Sequence, residues 1–61
     1  MESIKEVLMR RDNMSEEESD ELIKEAKEAL MEYLENNDVV GAEDICNEYF
    51  GLEPDYIMEL L

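Results

Sequence analysis

Acid–base and nucleophilic chemistry near neutral pH needs side chains tuned to hold or release a proton, and this chain offers little raw material. It has nineteen Asp and Glu residues, one cysteine and no histidine. Carboxylate pairs do acid–base work when their surroundings push the two pKa values apart inside a cleft. Nothing in the spacing here sets one Glu apart from the next. Cys46 falls on the apolar face of a predicted helix with no base placed to activate it, and it reads as a small core hydrophobe. The chain is therefore read as non-catalytic and without a cofactor.

Carboxylates also bind metal ions. An EF-hand loop alternates oxygen ligands around a central Gly and closes on a Glu. The stretch Asp12-Asn13-Met14-Ser15-Glu16-Glu17-Glu18 has neither the alternation nor the Gly. With no His and a single Cys, a zinc site lacks its ligands. No metal site is assigned.

What remains is charge, and it is unevenly placed. Five Lys and Arg face the nineteen acids, giving a net charge of −14. Residues 1–14 balance Lys5, Arg10 and Arg11 against Glu2, Glu6 and Asp12, so the excess lies in residues 15–61. Beyond Lys27 there is no base, while ten acids follow. Such a balance argues against nucleic acid and anionic membrane as direct partners. It points to a basic protein surface.

The elements that must carry these acids read as helices. Ser3 and Glu6 have capping-box spacing, with Ile4, Val7 and Leu8 as a small apolar face, and the helix stops near Arg11. Ser15 and Glu18 form a second capping box. From there Leu22, Ile23, Ala26, Ala29, Leu30, Tyr33 and Leu34 make one apolar arc of a long helix over 15–36. Its opposite face carries Glu17, Glu21, Lys24, Glu28, Met31 and Glu35. Asp38 is placed to cap a third helix that buries Ala42, Ile45, Cys46, Tyr49 and Phe50. Gly51 is placed as its left-handed C-terminal residue, with Leu52 folding back in a Schellman-type contact. Pro54 suits the first position of a fourth helix with Tyr56, Ile57, Leu60 and Leu61 as its apolar side. The expected fold is all-α, a single-domain bundle of about four helices over 1–61. It has a long second helix and a helix-turn-helix-like pair at the end.

That terminal pair, Ala42–Leu61, resembles a helix-turn-helix, but the would-be recognition helix shows Asp55 and Glu59 and no Arg, Lys, Asn or Gln. Such a helix cannot read base edges with the usual donors and is repelled by phosphate. The acids instead suit an Arg/Lys surface. The expected partner-binding residues are Glu17, Glu21, Glu28 and Glu35 on the second helix, with Asp55 and Glu59 on the last. Helix two tolerates like pairs such as Glu17–Glu21 and Glu28–Glu32, each costing a few tenths of a kcal/mol, against a favourable Asp20–Lys24 spacing. Two explanations stand: a general solubility bias, or imitation of nucleic-acid charge. A second functional expectation is a structural or regulatory homo-oligomer, a homodimer formed through Tyr56, Ile57, Leu60 and Leu61.

The motif Arg11-Asp12-x-Met14-Ser15-x-x-Glu18, the acid- and Ala-rich helix, and Gly51-Leu52-Glu53-Pro54-Asp55-Tyr56 together resemble small acidic proteins of phages and mobile elements. The resemblance covers most of the chain and implies a viral or mobile-element setting, with no assigned activity. Small acidic phage proteins often block host factors, so the resemblance raises an inhibitor of a nucleic-acid-handling host protein. With no apolar run near the ~18 residues of a membrane span and no signal-peptide core in MESIKEVLMRR, a bacterial cytoplasmic location is expected.

Overall fold

Two serines start the first two helices by the same local chemistry. In the computed structural model, which describes residues 2–61, Ser3 accepts the Glu6 N–H at 3.1 Å and opens α1, Ile4–Arg11. Ser15 accepts the Glu18 N–H at 3.1 Å while the Glu18 carboxylate reaches back to the Ser15 N–H, completing a capping box for α2, Glu16–Glu35. Asp38 accepts the Gly41 N–H at 2.9 Å and opens α3, Val39–Phe50. These three oxygens satisfy helix-end donors that would otherwise lack partners.

Each of the three α-helices ends within two residues of a left-handed one. Asn13, Asn37 and Gly51 have φ of 54°, 57° and 65°. At Gly51 the cap is of the αL type, its N–H bonding to the Asn47 carbonyl while the Leu52 N–H reaches the Cys46 carbonyl; the full Schellman pair falls at Asn37, where the Asn37 and Asp38 N–H groups bond to the Leu34 and Tyr33 carbonyls. Leu52 then packs on the core, as its spacing predicts. The first turn repeats the device with Asn13, because the Met14 N–H reaches the Leu8 carbonyl and Met14 also packs on the core. Asn tolerates this backbone region better than most residues.

The expected bundle is observed, and no strand occurs among the described residues. Its fourth member is a 3-10 helix, Pro54–Glu59, with the tight bonds Tyr56 N–H to Glu53 and Leu60 N–H to Ile57. Six residues starting at a Pro are too few to repay α-helix nucleation, and the tighter turn fits the short piece.

The core is built by Ile4, Leu8, Ala26, Leu30, Ala42, Ile45, Cys46, Phe50 and Leu60, so all three α-helices contribute, Leu60 follows the 3-10 helix, and that helix packs half-buried Tyr56 and Ile57 against them. Leu34, expected in the apolar arc of α2, is about half exposed at 47%. The cause is length. The eight residues of α1 span roughly 12 Å, while the twenty of α2 span roughly 30 Å. Lys5 pairs with Glu16 and Asp20, which fixes α1 along the first half of α2. Ser19 occupies the covered part of that arc and is fully buried, though its spacing alone did not single it out.

Candidate functional site

The acids on α2 form a stripe. At 100° per residue, Glu17, Glu21, Glu28 and Glu35 lie within about 40° of one another over roughly 27 Å. All four are exposed. Glu17 and Glu21 share an open hollow with Ser15, Glu18 and Asp20. A second hollow joins Glu21 and Glu28 to Lys24 and Glu25. Glu35 continues the line one turn past Met31, which is 62% exposed. The structure thus gathers the four acids expected on α2 onto one face.

Asp55 and Glu59 do not join that face. Both are exposed on the 3-10 helix, which packs against α3. Glu59 already has a task inside the fold: its carboxylate accepts the Ile4 N–H at 3.0 Å, across fifty-five residues of sequence. That is one of the first-turn donors left open at the start of α1. No local signal marks this cap, because Glu59 reaches α1 only through tertiary packing.

One base, Lys24, lies on the stripe between Glu21 and Glu28, and the three bases of the first segment are held away from it. Lys5 pairs with Glu16 and Asp20 at 3.1 Å each, and these two acids hold its ammonium pKa above the ordinary lysine value. Arg10 forms a two-bonded fork on Glu2 at 2.7 and 2.9 Å and pulls that carboxyl below the usual range. Arg11 does the same to Asp12 and also donates to the Phe50 carbonyl, tying the end of α1 to the end of α3. All three bases of the first segment are thereby spent on neighbours. Lys24 and Lys27 form no ion pair among the described residues. The favourable Asp20–Lys24 spacing is not used, since Lys5 takes Asp20 instead.

Helix α2 alone carries nine acids and two bases. Over the molecule, −14 charges along a 33 Å long axis give about one per 2.4 Å. Duplex DNA carries one per ~1.7 Å. The whole molecule thus approaches duplex density, but α2 alone, at net −7 over roughly 30 Å, carries about one charge per 4 Å, and Glu43, Asp44 and Glu48 of α3 are exposed as well.

The other chemistry-bearing side chains are turned inward or engaged. Cys46 is fully buried, and burial, with the Glu59 carboxylate behind it, pushes its thiol pKa up. Such a thiol stays protonated and unreactive. Tyr33 donates to Glu48 at 3.3 Å, and the charge of Glu48 raises the phenol pKa. Among the described residues, no group of three or more His, Cys, Asp or Glu is arranged to hold a metal ion. No described helix is long and apolar enough to cross a membrane.

The residues expected at a dimer interface are mostly in use. Leu60 is buried in the core and Tyr56 and Ile57 pack against it, while Leu61 and neighbouring Met58 stand free at 73% and 74% exposure. The chain matches no protein-family model, no curated protein and no solved structure.

Proposed function

We propose that this chain is a non-catalytic acidic binding module that occupies the basic surface of a nucleic-acid-handling protein and blocks it by presenting charge in place of a phosphate backbone. The observation that supports this reading is the stripe Glu17, Glu21, Glu28 and Glu35, held on one rigid helix while Lys5, Arg10 and Arg11 are paired elsewhere. Pre-arranged like charges speed encounter with an oppositely charged surface and raise its local concentration. A rigid helix adds little ordering cost on binding. The setting suggested by the likeness to small phage and mobile-element proteins, a bacterial cytoplasm, is rich in such basic partners.

The test is capture from a bacterial lysate on the immobilised protein, with duplex DNA as competitor. The retained proteins are expected to be nucleic-acid binders, released by DNA and by raising salt from about 50 to about 500 mM, as screening shortens the reach of the charges. Changing Glu17, Glu21, Glu28 and Glu35 together to Gln should reduce capture at least about tenfold, a loss of ~1.4 kcal/mol or more. Retention that is indifferent to salt and to these four substitutions overturns the reading.

A further inference from the structure

A hollow of about 280 Å³ opens at the corner where α2 turns into α3, lined by Ala29, Glu32, Tyr33, Asn36, Asp38 and Tyr49. It lies just below the ~300–1,000 Å³ of a pocket for a drug-sized ligand, so it suits the head of a single side chain. Two rings form its walls, and the fold fixes both. The Tyr33 ring lies where a side chain at position 41 would be, since a Cβ on Gly41 would meet it at 2.7 Å. Its hydroxyl donates to Glu48 at 3.3 Å. Tyr49 is backed by buried Phe50, with ring centroids 6.4 Å apart and tilted by 56°. Both tyrosines are half-buried and packed on the core, which places the walls in advance of binding.

The charges around the rings have one sign. Glu32 and Asp38 line the hollow, and Glu48 stands at the Tyr33 hydroxyl. The Glu32 carboxylate forms no ion pair among the described residues. The raised phenol pKa of Tyr33 registers this field, through Glu48 first and Asp38 to a lesser degree. At 100° per residue, Lys24 lies about 180° and Lys27 about 120° round α2 from Tyr33, and neither lines the hollow.

We propose that this hollow receives an arginine side chain of the basic partner, its guanidinium stacked on a tyrosine ring and bonded to the Glu32 carboxylate. The inference rests on the reading of this chain as a module for basic proteins, and it names the side chain that the partner inserts. The chemistry selects guanidinium. A flat, weakly hydrated cation can lie on an aromatic face and present its N–H edge to a carboxylate at once. An ammonium is compact and more strongly hydrated, so it loses more on leaving water. A metal ion lacks its ligands, because among the described residues no three of His, Cys, Asp or Glu are arranged to hold one. A second copy of this chain offers no free guanidinium. Arg10 is forked on Glu2, and Arg11 is held by Asp12 and the Phe50 carbonyl. The stripe then gathers basic partners by charge, and the hollow sorts them by side chain.

The test uses two capped peptides of equal length and charge, one of Arg with Ser and Gly, the other of Lys with the same spacers. Binding is followed by NMR titration at about 50 mM salt. The Arg peptide is expected to bind about threefold tighter or better and to shift the ring resonances of Tyr33 and Tyr49. Glu32→Gln should remove most of that preference and leave the Lys peptide within about twofold of its original affinity. Glu32 is exposed, so the variant is expected to melt with the parent protein. Tyr49→Leu keeps an apolar body, removes the ring and should also lower the preference. Changing Glu17, Glu21, Glu28 and Glu35 together to Gln should weaken both peptides alike and keep the preference. Equal affinities, unmoved tyrosine rings, or a preference that survives Glu32→Gln overturns the arginine site while leaving the charge reading standing. A preference lost with the four stripe acids gives the selection to charge alone and overturns the site as well. Failure of both peptides to bind even at about 20 mM salt overturns the charge reading, and the site with it.

Discussion

The turns at the two ends of α3 use the same backbone device and finish differently. After Gly51 the next residue is Leu52, which folds back onto the core. After Asn37 the next residue is Asp38, which spends its side chain on capping α3, and the two valines that follow face solvent. The first turn sides with Gly51, since Asn13 is followed by core-packed Met14. A left-handed residue only reverses the chain. The side chain that follows decides whether the turn seals the core or presents a surface. The sealed end also carries the Arg11 bond to Phe50 and the Glu59 bond to Ile4, while the side-chain bond that joins α2 to α3 is the exposed one from Tyr33 to Glu48.

The sharpest way to break this contrast is to truncate one apolar side chain at each end. Leu8→Ala removes a fully buried residue and is expected to lower stability by about 2–5 kcal/mol in denaturant titration, enough to unfold much of so small a domain. Val40→Ala, at 78% exposure, should change stability by less than about 0.5 kcal/mol. A large loss at Val40 would show a packed corner and end the distinction.

Gly41 comes next. A Cβ added there lies 2.7 Å from the Tyr33 ring and 2.9 Å from the Asp38 carboxylate. Helix propensity favours Ala over Gly by about 1 kcal/mol, but overpacking costs about 1–3. Thermal unfolding of Gly41→Ala should therefore show a net loss, of about 1 kcal/mol, with the Tyr33–Glu48 contact disturbed. A gain in stability would mean that the ring moves freely aside.

Ser19→Ala has the opposite sign. The Ser19 hydroxyl is buried without a hydrogen-bond partner among the described residues. Leaving such a group unsatisfied costs about 1–3 kcal/mol, so its removal should stabilise the sealed end by about 1 kcal/mol in the same assay. A destabilised variant would show that the hydroxyl is satisfied in solution.

Smaller still is Glu35→Lys. It places a cation near the negative end of α2, where the last turn now has no base, and should add about 0.5 kcal/mol. The same change should weaken capture of basic proteins, so stability and binding would move in opposite directions. Parallel changes would separate Glu35 from the binding face.

The smallest effect concerns the ion pairs made by the three bases of α1. Glu2 and Asp12 are held below the ordinary carboxylate range by Arg10 and Arg11. Their contribution is in place above that range and is lost as pH falls through it. Lys5 is held above the ordinary lysine range by Asp20 and Glu16, so its contribution is in place below that range and is lost as pH rises through it. Arg10→Gln should return the Glu2 titration, followed by carboxyl-carbon NMR, to the ordinary value with stability at neutral pH nearly unchanged. An unmoved Glu2 would show that the fork is not formed in solution.

Local chemistry was legible in the sequence. The Ser15–Glu18 box, the Asp38 cap and the Gly51–Leu52 reversal each depend on residues within a few positions of one another, and each is found as spaced. The α2 stripe was legible for the same reason, since helical periodicity alone sets it. What depended on a second element was not. Leu34 has the spacing of a core residue and stands half exposed, because α1 is too short to cover it. Ser19 has no apolar signature and is fully buried. The last helix shows an apolar pattern in number but too few residues to hold α geometry. Glu59 reads as one more surface acid, and only the folded chain brings it to Ile4.

That last contact orders the fold in time. Pairing α1 with α2 closes a far shorter loop than bringing Glu59 to Ile4, so it needs less chain entropy to be lost. The Ile4 amide has only water to bond until Glu59 arrives, and it is separated from that partner by fifty-five positions. Slow exchange at the Ile4 amide therefore marks a molecule in which the 3-10 helix has docked against the start of α1.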